Sequence, residues 1–289
     1  MIAIPCFLVI FYLLSDSIEF RTQRIVEKFE TLYQMNKLTL KARIVESAPN
    51  AETEWVNLSW NNSLSENRSW EVINFEAPVD GLADADYRRR ELTEILDGMQ
   101  FYDMHHKIAF IYSSLSQRDR TQLSGLVKAL KMQAKSEKLG YVEFLNFAIS
   151  MIQQIPYTMI LFPEACPYGE YTGECMPLEE KNGCCDNVVP MGVYSPIEFA
   201  MRQTGDCDTR ALFAYTILSE LGYEVTMLNS DRAAHSVLGI HIPNPQPGLT
   251  YVMGKDNKKY YFWELTAAYP LGVYTTPDHS LSTWYSAIN

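Results

Sequence analysis

One stretch constrains the fold more than any other. Between residues 195 and 265 helix and strand signals follow each other in a fixed order. Ser195-Pro196 opens a short helix over PIEFAMRQ, with Ser as N-cap and Pro at the first helical position. Gly205 breaks that helix and Asp206 can cap another, so Cys207 falls in the first turn of DTRALFAYTILSELG, which Gly222 ends. Strands are expected next over 223–228, 236–242 and 259–265. Helix first and antiparallel sheet after it is an α+β arrangement.

Upstream the patterning changes twice. Residues 38–77 carry short Val-, Ile-, Trp- and Thr-containing runs such as LTLKARIV and SWEVINF between Asn- and Ser-rich turns, a β-containing N-terminal section. Helical spacing follows over 87–99, from about 116 to 138, and over 141–155, where Pro156 stops it. The chain divides on this reading into an apolar segment 1–16, an N-terminal helix and β-rich section 17–115, and a larger domain 116–289.

The formal net charge of -11, with no long Lys/Arg run to offset it, argues against nucleic acid as a partner. The apolar start IAIPCFLVIFYLL is short for a spanning helix of roughly 20 residues. It reads as a signal peptide, as a membrane anchor or as a buried segment, and the first two imply an exported or membrane-associated protein. Arg21 and Arg24 just after it argue mildly the other way. Cys166, Cys175, Cys184 and Cys185 crowd into one Gly-, Pro- and Glu-rich loop. Two disulfides in an oxidising, extracytoplasmic compartment account for them; zinc and free thiols are the competing readings.

The chemistry centres on Cys207. A helix N-terminus favours the thiolate through unpaired N–H groups and the helix dipole, while Asp206 and Asp208 on either side oppose it. A buried inert cysteine is the competing role. Of the five histidines, His235 begins an expected strand beside the polar loop NSDRAA, which suits a cleft residue; His241 lies at the far end of that strand, about 20 Å away. Glu264 ends the aromatic strand KKYYFWELT, where it can orient the imidazole. Asp206 can cap the helix, while Asp208 pairs with Arg210 or faces solvent.

Three segments together resemble the transglutaminase-like superfamily. SPIEFAMRQTGDCDTRALFAYTILSELGYEVTML resembles its Gly-Asp-Cys nucleophile segment, HSVLGIHI its histidine strand, and YYFWELTAAYPLG its acid strand, with FAISMIQQIPYT similar to the helix that precedes this core. The resemblance covers about 140–276, half the chain, and implies that 116–289 is a catalytic domain with its core there. It implies a papain-like core with Cys207 as nucleophile, His235 as general base and acid, and Glu264, in place of the commoner Asp, as the orienting carboxylate. It also implies cysteine-dependent acyl transfer on a peptide or protein substrate, most simply hydrolysis through a thioester. The superfamily includes crosslinking transglutaminases, calcium-dependent periplasmic proteases and inactive members used as scaffolds; calcium at Asp206 and Asp208 is implied by that likeness.

Overall fold

The computed structural model describes residues 52–64, 70–161, 189–273 and 281–288. The apolar start, the expected strand LTLKARIV and the four clustered cysteines lie outside them. Two compact units are distinguished, the larger comprising residues 49–99 and 111–289. Of the smaller unit, only residues 100–110 are among those described. The larger holds both sheets.

Strands β1 (Thr53–Asn61) and β2 (Trp70–Pro78) form an antiparallel hairpin in which Leu58 faces Ile73 and Val56 faces Phe75. Side chains alternate across a strand, so Leu58, Trp60, Ile73, Phe75 and Ala77 are buried while Trp55 and Trp70 stand in solvent. Four helices follow: α1 (Gly81–Asp97), α2 (Met104–Asp119), α3 (Ser124–Ser136) and α4 (Tyr141–Gln154). The hairpin's apolar face docks on α3 and α4. Trp60 packs edge-on against Phe147 of α4 at 5.1 Å, and its indole N–H donates to Ser150 Oγ at 3.0 Å. On α3, Gly125 meets the Glu76 carbonyl so closely that any Cβ would overlap it.

The helix expected over 116–138 is two helices, broken at 120–123. The break has a use: the Asp119 carboxylate, which ends α2, accepts the Ile197 N–H at 2.8 Å and so caps α5 (Pro196–Arg202). Ser195 occupies the N-cap position of α5, and its own backbone N–H donates to Glu198 Oε2 at 2.9 Å. Helix α4 stops where expected, since Ile155 before Pro156 adopts an extended backbone.

Helix α6 (Cys207–Glu220) is buried at every position from Thr209 to Leu218. It packs on β3 (Val225–Ser230) and β4 (His235–Ile240), the middle of a five-stranded antiparallel sheet of order β5-β6-β4-β3-β7. The others are β5 (Tyr251–Met253), β6 (Lys259–Trp263) and β7 (Tyr285–Ile288). Both β3 and β4 are buried on both faces, because the face away from α6 carries its own cluster of Leu228, Val237, Phe262 and Trp284. The architecture is α+β, as the order of sequence signals implies. No helix among the described residues is long and apolar enough to cross a membrane.

Candidate active site

Asp206 caps α6 as expected: its Oδ1 accepts the Thr209 N–H at 3.0 Å, and its Oδ2 accepts the Ile160 N–H at 3.2 Å. Cys207 therefore begins the helix, half-buried, and is the one free thiol among the described residues. Its sulfur lies 3.6 Å from Asp208 Oδ1 and against the Ser236 N–H. The balance of charge here runs against the helix dipole. Burial first, then the Asp208 and Asp206 carboxylates, push the Cys207 thiol up, and the Ser236 N–H offsets only part of that. The resting group is a thiol.

The histidine and the acid are brought together by strand register. β4 and β6 pair with Leu238 opposite Trp263 and Gly239 opposite Phe262. One residue further, Glu264 falls opposite Val237, on the face that also carries His235 and one diagonal step from it. His235 Nε2 and Glu264 Oε2 are 2.7 Å apart. The other carboxylate oxygen accepts three bonds, from the N–H groups of Leu265 (2.9 Å) and Thr266 (2.8 Å) and from the Thr266 hydroxyl (2.7 Å). Burial alone would raise the Glu264 pKa, but the His235 contact and the Thr266 donors outweigh it and hold the carboxyl below its ordinary value. The acid is a fixed anion, and the ring presents Nδ1 on its other side.

Between Cys207 and His235 no hydrogen bond is formed; what joins the two elements is Ser236. Its N–H meets the sulfur and its hydroxyl meets Asp208 Oδ1 and, at 3.0 Å, Asn229 Oδ1. Tyr112 of α2 donates to Asp208 Oδ2 at 3.0 Å. Asp208 thus does not pair with Arg210, and helical geometry explains why: side chains two positions apart point in different directions. Arg210 turns inward and donates to four backbone carbonyls, those of Gly205 (3.1 Å), Ile152 (2.8 Å), Leu265 (3.0 Å) and Ile155 (2.5 Å). It ties the turn before Cys207 and the end of α4 to the residue after Glu264. Gln153 reinforces the tie by donating to the Glu264 and Tyr269 carbonyls, each at 2.8 Å. Tyr157 lies beneath the Arg210 guanidinium, its hydroxyl against the Cys207 N–H.

The remaining candidates fall elsewhere. His241 leaves β4 at its far end, where its Nδ1 lies 3.0 Å from the Lys259 carbonyl. His106 pairs with Asp103 at 2.7 Å on the exposed face of α2. Cys166, Cys175, Cys184 and Cys185 lie outside the described residues. As for calcium, a hard cation needs six or more oxygens with free lone pairs. Asp206 accepts two backbone N–H groups and Asp208 two hydroxyls, which takes up part of the lone-pair capacity of each carboxylate. Among the described residues no other group of three or more metal-binding side chains gathers.

Sequence reasoning did not find Tyr112, Ser236, Gln153, Tyr157 or Trp284, which stands edge-on to His235 at 6.4 Å. Ser236 alone carried a signal: next to His235 on a strand, it must face the opposite side, where α6 packs. No family model, no curated protein and no solved structure matches the chain.

Proposed function

We propose that the chain is a cysteine acyl-transfer enzyme of the transglutaminase-like, papain-related kind, hydrolysing amide bonds of a peptide or protein substrate. The observation that carries this reading is an imidazole held at 2.7 Å by a buried, triply hydrogen-bonded carboxylate, on a strand whose next residue touches a helix-N-terminal thiol.

Because the resting thiol is neutral, His235 acts as a general base and not as half of a preformed ion pair. It takes the Cys207 proton as the sulfur attacks the amide carbonyl carbon, and the carbonyl π electrons move to oxygen. The imidazolium is balanced by Glu264. It then gives the proton to the departing amine as the C–N bond breaks, leaving a thioester on Cys207. Water, deprotonated by His235, attacks that thioester, and the acid leaves as the thiol is restored. The Tyr157 hydroxyl, which accepts the Cys207 N–H and has its own O–H to give, is the donor for the oxyanion.

β-Casein, an unstructured protein, tests this. New amino termini should accumulate with the wild-type chain and fall at least 100-fold with Cys207→Ser and with His235→Ala. Incorporation of monodansylcadaverine in place of new termini would mark a crosslinking transglutaminase. Turnover that survives Cys207→Ser would overturn the nucleophile. Absence of both products with the folded wild-type chain would favour a binding protein that keeps the constellation without turnover, a reading to which the missing bond between His235 and the sulfur lends its support.

A further inference from the structure

A cleft of about 710 Å³ opens on the face of the sheet that carries His235 and Glu264. Its walls include Leu249, Thr250, Tyr251 and Met253 on one side, and Leu281 and Trp284 on the other. Trp284 belongs to two places at once. It lines the cleft, and its ring stands edge-on to His235 at 6.4 Å and to Phe262 at 5.1 Å. Val252 packs against the same cluster, so the cleft floor and the candidate triad share one apolar layer.

The cleft also lies along a sheet edge. β5 is the terminal strand of the order β5-β6-β4-β3-β7. Its pairing with β6 uses alternate residues: Phe262 N–H donates to the Thr250 carbonyl at 3.0 Å, and Gly254 N–H to the Lys258 carbonyl at 2.8 Å. Thr250, Val252 and Gly254 therefore turn their backbone groups toward β6, and Tyr251 and Met253 turn theirs outward. An outward-facing pair on a short edge strand, beside an apolar cleft, is a template for one more strand.

We propose that β5 is the substrate-docking edge: an extended polypeptide pairs with Tyr251 and Met253 through its backbone and sets an apolar side chain in the cleft against Leu249, Leu281 and Trp284. This rests on the acyl-transfer reading and names its substrate class, an unfolded or extended segment in place of a folded surface or a free amino-acid amide. The distance gives a further consequence. A strand added outside β5 lies three strand spacings from β4, about 14 Å, and Tyr251 stands five residues, roughly 17 Å, further along the strands than the level of His235, so the paired segment is about 22 Å, or roughly seven extended residues, from His235. Selection is then by an apolar residue several positions, up to about seven, from the bond that reacts.

The test uses the full chain with Cys207→Ala, so that binding is read without turnover, and fluorescein-labelled β-casein as the probe. Anisotropy should show saturable binding. Met253→Pro, which deletes one outward N–H at a position where an edge strand tolerates proline, should weaken it about tenfold, and Leu281→Asp by a similar factor. In chains that keep Cys207, alkylation by iodoacetamide should stay within twofold for both variants, which shows that fold and thiol are undisturbed. No saturable binding, equal affinity of all three proteins, or a parallel loss of casein binding and alkylation would each overturn the docking edge. A chain that binds casein through β5 yet yields no casein products would instead fail the acyl-transfer reading alone, so the two failures are distinguishable.

Discussion

Two arginines among the described residues, Arg89 and Arg210, are fully buried and are held in opposite ways. Arg89, on α1, meets a charge: Glu198 of α5, itself completely buried, with Arg202 3.8 Å from that carboxylate and Tyr194 beneath both guanidinium groups. Arg210, on α6, makes none of its four described hydrogen bonds to a carboxylate, and its guanidinium is solvated by backbone carbonyls. Burial lowers both to about 10, far enough above neutral that both stay charged. The difference lies in what each fixes. An ion pair joins two side chains and leaves the backbone free, whereas a carbonyl cage fixes the backbone itself. The second arrangement sits where placement matters, between the turn that carries Cys207 and the segment that carries Glu264.

The comparison can be broken most severely at Arg210. Arg210→Met should take a donor from four carbonyls and leave those of Ile155 and Leu265 stranded, since Gly205 keeps the Thr158 N–H and Ile152 the Ile155 N–H. With hydrogen bonds to a charged donor at about 1.5–3 kcal/mol each and far from additive, the loss should be on the order of 4–6 kcal/mol by urea denaturation. Arg210→Lys keeps the charge but cannot reach four acceptors, and should recover less than half of that loss.

Arg89→Ala leaves Glu198 buried without its main partner and should cost about 3–5 kcal/mol. The sharper experiment is the double variant Arg89→Met, Glu198→Met. An ion pair can be replaced by packed apolar side chains, so most of the stability should return, short by about 1 kcal/mol for the Ser195 N–H that loses its acceptor. If the double variant is as unstable as the single one, the pair is more than a matched charge.

The smallest effect is a pH slope. Asp206 also gives its carboxylate oxygens to backbone groups, and burial, with Asp208 beside it, raises its pKa from 3.8 to about 7. A folded-state pKa above the unfolded one means that this group's contribution is fully present below about pH 4 and is lost as the pH rises toward 7. Thermal unfolding of the wild-type chain should therefore lose stability across that window. Asp206→Asn caps a helix about as well and cannot ionise, so its melting temperature should be flatter there. Equal slopes would assign the titration to another carboxyl, of which Asp119, raised to about 6 by burial, is the first to examine.

These residues also mark how far the sequence could be read. Turn chemistry and apolar period are local, and so the start of α6 at Cys207, the strands beginning near His235 and Lys259, and the stop of α4 before Pro156 were all legible. The meeting of His235 with Glu264 was expected from the place of Glu264 at a strand end and from the resemblance; alternation gives only the face of each residue, and the register that joins them belongs to the folded sheet. What escaped were bonds between residues distant in sequence. Arg89 sits among charges on α1 and reads as a surface residue, and nothing local says that Glu198 will meet it. Arg210 beside Asp208 reads as its partner only if helical direction is ignored. The Cys207 thiol is the instructive miss: the helix N-terminus is visible in sequence, but the burial that outweighs it is a property of the packed molecule. β5 and β7 were missed for another reason, since strands of three and four residues carry too little period to stand out.

The placement of Trp284 has a consequence for the order in which the molecule comes together. Helix α6, β3, β4 and β6 follow one another closely along the chain, and their pairing needs only short loops to close. Trp284 lies twenty residues beyond Glu264 and reaches His235 only when β7 has docked on β3, across a separation of more than fifty residues. Loop-closure entropy makes such a long-range step late. On that timetable thiol, imidazole and carboxylate are assembled first, and the wall that shapes the cleft arrives after them. A chain caught between those two moments has Cys207, His235 and Glu264 gathered and the Trp284 side of the imidazole still open to water.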